Sequence, residues 1–189
     1  MTNTLVIDWS TLPVPINDGA ASHLEGTRLP DFALTSTSGE AVQLSSLAGR
    51  TVIYAYPWKK KPDDPLLEGW LAIPGAPGCT PQSCAFRDHA DELREAGAAY
   101  LFGLSTQDPA RQREAVDRLH LSFPLLSDLS LRFTEALSLP TFEAAGMTLL
   151  KRLTMIVSHG VIEKVFYPVF PPDQNAADVL AWLKTHRQD

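Results

Sequence analysis

The sequence predicts an α/β sandwich with a mixed central sheet flanked by helices. Three observations carry that reading. Apolar runs rich in β-branched and aromatic residues recur at 51–56, 99–105 and 151–157, each of a length suited to a buried strand. Stretches with helix start signals and one apolar face lie between and after them. The last strand turns at His159-Gly160 into a second one, and a helix follows; strands alternating with helices and closing in a hairpin plus helix make the sheet mixed.

The elements can be justified in order. Residues 1–27 carry few periodic signals and contain Pro13, Pro15 and Gly19, so they read as an N-terminal extension lying on a single domain over 28–189. Phe32-Ala33-Leu34-Thr35 and Ala41-Val42-Gln43-Leu44 flank Ser38-Gly39-Glu40, a hairpin with a glycine turn. The run 51–56 is stopped by Pro57, and an inserted loop rich in lysine, proline and aspartate occupies about 58–75. Thr80 suits an N-cap and Pro81 the first helical position, with Asp88, Ala90, Leu93 and Ala96 running on to a stop at Gly97. After the strand at 99–105, Asp108-Pro109 opens a helix through Leu119. Leu125-Leu126-Ser127-Asp128 reads as a short connection before a helix to about Leu137. The final helix spans about 175–186, with Val179, Leu180 and Leu183 on one face.

Composition narrows the function. Of 189 residues, 44% are hydrophobic and 20% charged, which suits a globular core. A formal charge of −6 argues against nucleic-acid binding. No apolar run approaches membrane-spanning length, and Met1-Thr2-Asn3-Thr4 lacks a signal-peptide pattern, so a cytoplasmic location is expected. In that compartment two closely spaced cysteines are more often redox-active than structural. Zinc is disfavoured, because no second Cys or His pair stands at ligand spacing.

Those two cysteines, Cys79 and Cys84, are the only ones in the chain. Cys79 falls at or just before a helix N-terminus, where unpaired N–H groups and the positive end of the macrodipole favour thiolate, the nucleophilic form. Five residues of ideal helix separate two Cα atoms by about 8.6 Å and turn them by about 140°. A disulfide needs Cα atoms within about 7 Å, so bonding this pair requires part of the helix to unwind. Both residues also suit buried small hydrophobes, the common fate of free cysteine. The Pro-Gly-Cys-Thr-Pro setting tips the balance toward a presented Cys79.

The chain resembles the peroxiredoxins, and most closely their Q type, also called bacterioferritin comigratory protein. The resemblance rests on Leu29-Pro30-Asp31-Phe32, Tyr56-Pro57, Phe123-Pro124-Leu125-Leu126-Ser127-Asp128 and Arg152-Leu153-Thr154-Met155-Ile156-Val157. Its most specific piece is Pro77-Gly78-Cys79-Thr80-Pro81-Gln82-Ser83-Cys84-Ala85-Phe86-Arg87-Asp88. It implies a thioredoxin-like fold and a thiol-dependent peroxidase acting on hydrogen peroxide and organic hydroperoxides. By resemblance Cys79 is the peroxidatic cysteine, which becomes a sulfenic acid, and Cys84 the resolving one, which closes an intramolecular disulfide. Thioredoxin or a similar dithiol then reduces that disulfide. Arg152 matches the arginine that holds thiolate and peroxide, and Pro57, Gly78 and Thr80 occupy supporting positions. The resemblance implies no metal or organic cofactor, and a monomer, with a dimer as the other option. A redox-switched holdase or peroxide sensor is the alternative use of the same disulfide.

The match has two departures. The family places a threonine three residues before the first cysteine, and here that residue is Ala76. One lost hydrogen bond to a charged group costs about 1.5–3 kcal/mol, or ten- to a hundredfold in rate. Thr80 is a candidate substitute. The loop at 58–75 separates Pro57 from Cys79; its Leu66, Leu67, Trp70 and Ile73 suit either self-packing or a wall beside the peroxide pocket, and Lys59-Lys60-Lys61 reads as a solvated tip. His89 is too far along the helix to serve Cys79 as a base.

Overall fold

The computed structural model describes residues 7–187. The three apolar runs become adjacent central strands. β3 (Arg50–Ala55) pairs in parallel with β4 (Ala98–Ser105) and antiparallel with β8 (Leu153–Ser158). Every residue of β3 is buried, as expected for a strand covered on both faces. Outward from this centre lie β5 (Leu125–Ser127), β1 (Leu34–Ser36) and β2 (Ala41–Val42) on one side and β9 (Val161–Phe166) on the other. The seven-stranded order is β2-β1-β5-β4-β3-β8-β9.

Successive residues of a strand point to opposite faces, and the core divides accordingly. Val52 and Tyr54 of β3 pack toward α1 (Cys79–Asp88), α2 (Ala90–Glu95), α3 (Pro109–Leu119) and α5 (Asn175–Thr185), through Phe86, Leu93, Ala115, Leu119, Val179 and Leu183. Ile53 and Ala55 pack the other way, with Phe133 and Leu137 of α4 (Arg132–Leu137) and with Leu24 and Leu29 of the segment before β1. That segment runs beside β9: Gly26 N–H donates to the Ile162 carbonyl at 2.8 Å, and Ile162 N–H to the Thr27 carbonyl at 2.9 Å. Beneath α1 the Tyr54 ring stacks on Phe86, centroids 4.4 Å apart, and its hydroxyl pairs with Ser83 at 2.8 Å.

Two expectations change, and one element went unread in the sequence. Residues 125–127 form a strand rather than a connection, joined in parallel to β4 and antiparallel to β1; three residues are too few to show a period in sequence. The helix expected over about 80–96 is broken at His89, whose backbone leaves helical geometry between α1 and α2. A hairpin of β6 (Thr141–Ala144) and β7 (Met147–Leu150), turning through Gly146, forms a separate two-stranded sheet. Its Leu149 and Phe142 pack against Trp70 and the inserted loop.

The start of α3 follows its signals: Pro109 is the first residue and the Asp108 carboxylate accepts from Arg111 N–H at 2.9 Å. α4 is held differently. Leu131 precedes it with φ +61°, and buried Asp128 supplies the cap, accepting from Phe133 N–H at 3.0 Å, Thr134 N–H at 2.8 Å and the Thr134 hydroxyl at 2.7 Å. Asp128→Ala should therefore lower the unfolding free energy by about 2–3 kcal/mol, because two buried N–H groups lose a charged acceptor. A urea titration with unchanged slope and a lower midpoint would show it; an unchanged midpoint would mean that α4 does not need this cap.

Candidate active site

Cys79 is the first residue of α1, and the residue before it sets the geometry. Gly78 caps the helix with φ +109°, a conformation closed to most side chains. A Cβ there would lie 2.6 Å from Pro172 Cγ and 2.9 Å from the Trp9 ring. Glycine is thus required twice over, and the chain enters the helix two residues earlier than a Thr80 cap would allow. Thr80 sits in the first turn instead and lines the groove above Cys79. Pro57 is buried just beyond β3.

Arg152 stands immediately before β8, 3% exposed, and reaches across to α1. Its Nη2 donates to Cys79 Sγ at 3.3 Å, to the Ala76 carbonyl at 2.9 Å and to the Pro77 carbonyl at 3.2 Å; its Nε donates to the Gly75 carbonyl at 3.3 Å. Nη1 donates to Gln82 Oε1, one turn into α1. Gln82 Nε2 in turn donates to Asn175 Oδ1 at 3.0 Å, and the Thr154 hydroxyl donates to the same oxygen at 2.6 Å. All four polar side chains are buried and paired, so the guanidinium is fixed from both sides. Cys79 S–H approaches the Ala76 carbonyl at 3.8 Å. The side chain at 76 offers no hydroxyl, but its backbone oxygen contacts both Cys79 and Arg152.

Cys79 is buried at the floor of a groove of about 790 Å³, and half-buried Cys84 lies on the same groove. Trp9, Trp58, Leu66, Trp70 and Leu71 supply its apolar walls. The inserted loop therefore does both things its sequence allowed. Trp70 packs with Trp58, Ala76 and Leu149, with Leu67 and Ile73 against that cluster, while Trp58, Leu66, Trp70 and Leu71 border the groove.

One part of the loop departs from expectation. Lys61 is exposed as a solvated tip should be, but Lys59 is 2% exposed. Gln107 clamps its main chain, accepting from Lys59 N–H and donating to the Lys59 carbonyl, both at 2.9 Å. The ammonium lies over the Tyr56 ring, 3.0 Å from the centroid, and has no hydrogen-bond partner among the described residues. A run of three lysines carries no sign of this, because the clamp comes from the end of β4, 48 residues away. Burial is the largest cause of a pKa pushed down from 10.5 to about 7; the Cys79 sulfur opposes it and Arg152 adds to it. Gln82 and Asn175 also went unsignalled, since only the docking of α5 on α1 brings them together.

A family model described as Redoxin matches residues 24–180. Peroxiredoxin Bcp of Escherichia coli is 31% identical over 166 residues, covering 85% of this chain and 96% of that protein. The chloroplastic peroxiredoxin Q of Oryza sativa subsp. japonica is 31% identical over 163 residues, covering 85% and 67%. The chain belongs to the redoxin family as a Q-type peroxiredoxin. The crystal structure of peroxidoxin BcpB from Mycobacterium tuberculosis superposes with a TM-score of 0.71 at 26% identity, over 88% of this chain and all of that one. This peroxiredoxin is therefore a thiol peroxidase on a thioredoxin-like fold, taking a peroxide substrate and a thiol reductant. No helix among the described residues is long and apolar enough to cross a membrane.

In this peroxiredoxin the buried amine leaves a signature in stability. Between about pH 7 and 10.5 the unfolded chain holds a proton on Lys59 that the folded chain has released, so the unfolded state binds more protons and stability rises with pH across that window. Lys59→Met should remove that slope and raise the melting temperature at pH 7, as replacing an unpaired buried ion does. Thermal melts of both proteins over this range check it; parallel curves would mean that Lys59 is solvated.

Proposed function

We propose that Cys79 is the peroxidatic nucleophile, Cys84 its resolving partner and Arg152 the group that holds thiolate and peroxide. The observation that carries this reading is the 3.3 Å approach of the Arg152 guanidinium to Sγ at the N-terminus of α1, on the floor of a groove that Cys84 shares. Two cationic influences, guanidinium and helix N-terminus, meet at one sulfur. The thiolate attacks one peroxide oxygen, the O–O bond breaks, and the sulfur becomes a sulfenic acid. Cys84 then displaces water from that sulfur to form a disulfide. Because both cysteines sit in α1, this second step requires the first turns of the helix to unwind.

Thioredoxin or a similar dithiol fits as the reductant, since exchange at an exposed, locally unfolded disulfide suits a protein dithiol. A cytoplasmic setting, where such dithiols keep closely spaced thiols reduced, suits the cycle. Hydrogen peroxide and organic hydroperoxides are the substrates proposed. The tryptophan- and leucine-lined groove favours those with an apolar body.

The test is a single-turnover thiol count. Reduced protein mixed with one equivalent of hydrogen peroxide, without reductant, should fall from two free thiols to none while remaining monomeric on a non-reducing gel. Two persisting thiols would sink the assignment. Cys79→Ser should abolish the reaction, and Cys84→Ser should allow one oxidation without a disulfide. Arg152→Ala should slow oxidation about a hundredfold or more, the scale of losing an oxyanion donor; an unchanged rate would remove Arg152 from the site.

A further inference from the structure

The reaction as described lacks a proton. When the O–O bond breaks, the departing oxygen leaves as hydroxide or alkoxide, and a group in the site must protonate it. Arg152 cannot do so, because a guanidinium does not give up its proton. Ala76 has no hydroxyl to relay one. Tyr54 and Tyr56 are held more firmly in the neutral form by burial, which makes them poorer acids.

One group remains. Lys59 borders the same groove as Cys79, and its amine is buried over the Tyr56 ring and without a hydrogen-bond partner among the described residues. The rings of Tyr56 and Tyr54 lie 3.0 and 5.8 Å from it, and the sulfurs of Cys79 and Cys84 and the cations Arg152 and Arg118 act on its charge. An unpaired ammonium in such a place costs stability, and a methionine would fill the volume without that cost, so packing does not explain it.

We propose that Lys59 is the general acid of the peroxidase reaction, protonating the oxygen that leaves as Cys79 is oxidised. This rests on the peroxidatic role proposed for Cys79. The Cys79 thiolate attacks the terminal oxygen of the hydroperoxide; the S–O bond forms and the O–O bond breaks. Sulfur is oxidised by two electrons to sulfenic acid, which keeps the hydrogen of that oxygen, and the other oxygen departs with the electron pair. The Lys59 ammonium gives it a proton, so the product leaves as a neutral alcohol or water, and solvent reprotonates the amine. An amine whose pKa lies near 7 is matched to this task at neutral pH, where an ordinary lysine would hold its proton too firmly.

The test exploits the leaving group. Lys59→Met is compared with the unaltered protein in single-turnover oxidation by cumene hydroperoxide, hydrogen peroxide and peracetic acid, each rate divided by the thiolate fraction read from its ultraviolet absorbance. Alkoxide and hydroxide need a proton as they depart; acetate does not. The variant should lose about a hundredfold with the first two peroxides and stay within about threefold with peracetic acid. Equal losses with all three would mean that Lys59 acts on the thiolate or the scaffold, and no loss would mean that it acts on nothing; either overturns the proposal. Lys59→Gln, measured alongside, guards against a folding defect peculiar to methionine. If the unaltered protein keeps both thiols with every peroxide, the assignment of Cys79 fails first, and the two failures are distinguishable.

Discussion

The structure around the Cys79 sulfur depends on one buried charge. Arg152 has almost no contact with water, so its guanidinium must be satisfied by protein. The carbonyls of residues 75–77, the Gln82 amide and Cys79 Sγ meet that demand together. Satisfying the charge fixes the path of the chain into α1, and that path delivers Cys79 to the helix N-terminus. The Gln82–Asn175–Thr154 bonds extend the constraint to α5 and β8. Removing any one partner would leave a buried polar group unpaired, which is why the site is rigid on this side.

The sheet supplies the frame. Arg152 precedes β8, Tyr54 lies in β3 and Lys59 follows it, so two hydrogen-bonded neighbours project their groups beneath one helix. The inserted loop covers the opposite side with aromatic surface, backed by the β6–β7 hairpin. A rigid polar floor and an apolar wall thus come from different parts of the chain. Water is kept from the sulfur by the wall, while the charge that acts on it comes from the floor.

Much of this was legible in sequence. The Gly-Cys-Thr-Pro context placed Cys79 at a helix start, Asp108-Pro109 opened α3 as its signals required, and the run 51–56 gave the fully buried strand. What escaped was of two kinds. Short or weakly alternating strands, such as 125–127 and the β6–β7 hairpin, show no period because each is only three or four residues long. Long-range pairings leave no local trace: the clamp on Lys59 comes from Gln107, and the partner of Gln82 comes from Asn175. Ala76 illustrates the limit from the other side. Its side chain reads as a missing hydroxyl, yet the backbone carbonyl at that position binds Arg152, and a sequence cannot display where a carbonyl points.

Both cysteine sulfurs of the chain lie on one ten-residue helix. A bond between them would close a ring of only six residues, 79 to 84, and chain statistics make such a ring a weak staple. It would remove about 2 kcal/mol of conformational freedom from the unfolded chain, less than half of what a hundred-residue loop would remove. Set against that is the loss of helical turns whose N-terminus is wedged between Trp9 and Pro172. Such a bond would therefore not lock this molecule. The reduced, helical form is the relaxed one, and the return to it runs downhill in conformation, which makes a disulfide here an easily surrendered oxidising equivalent rather than a structural tie.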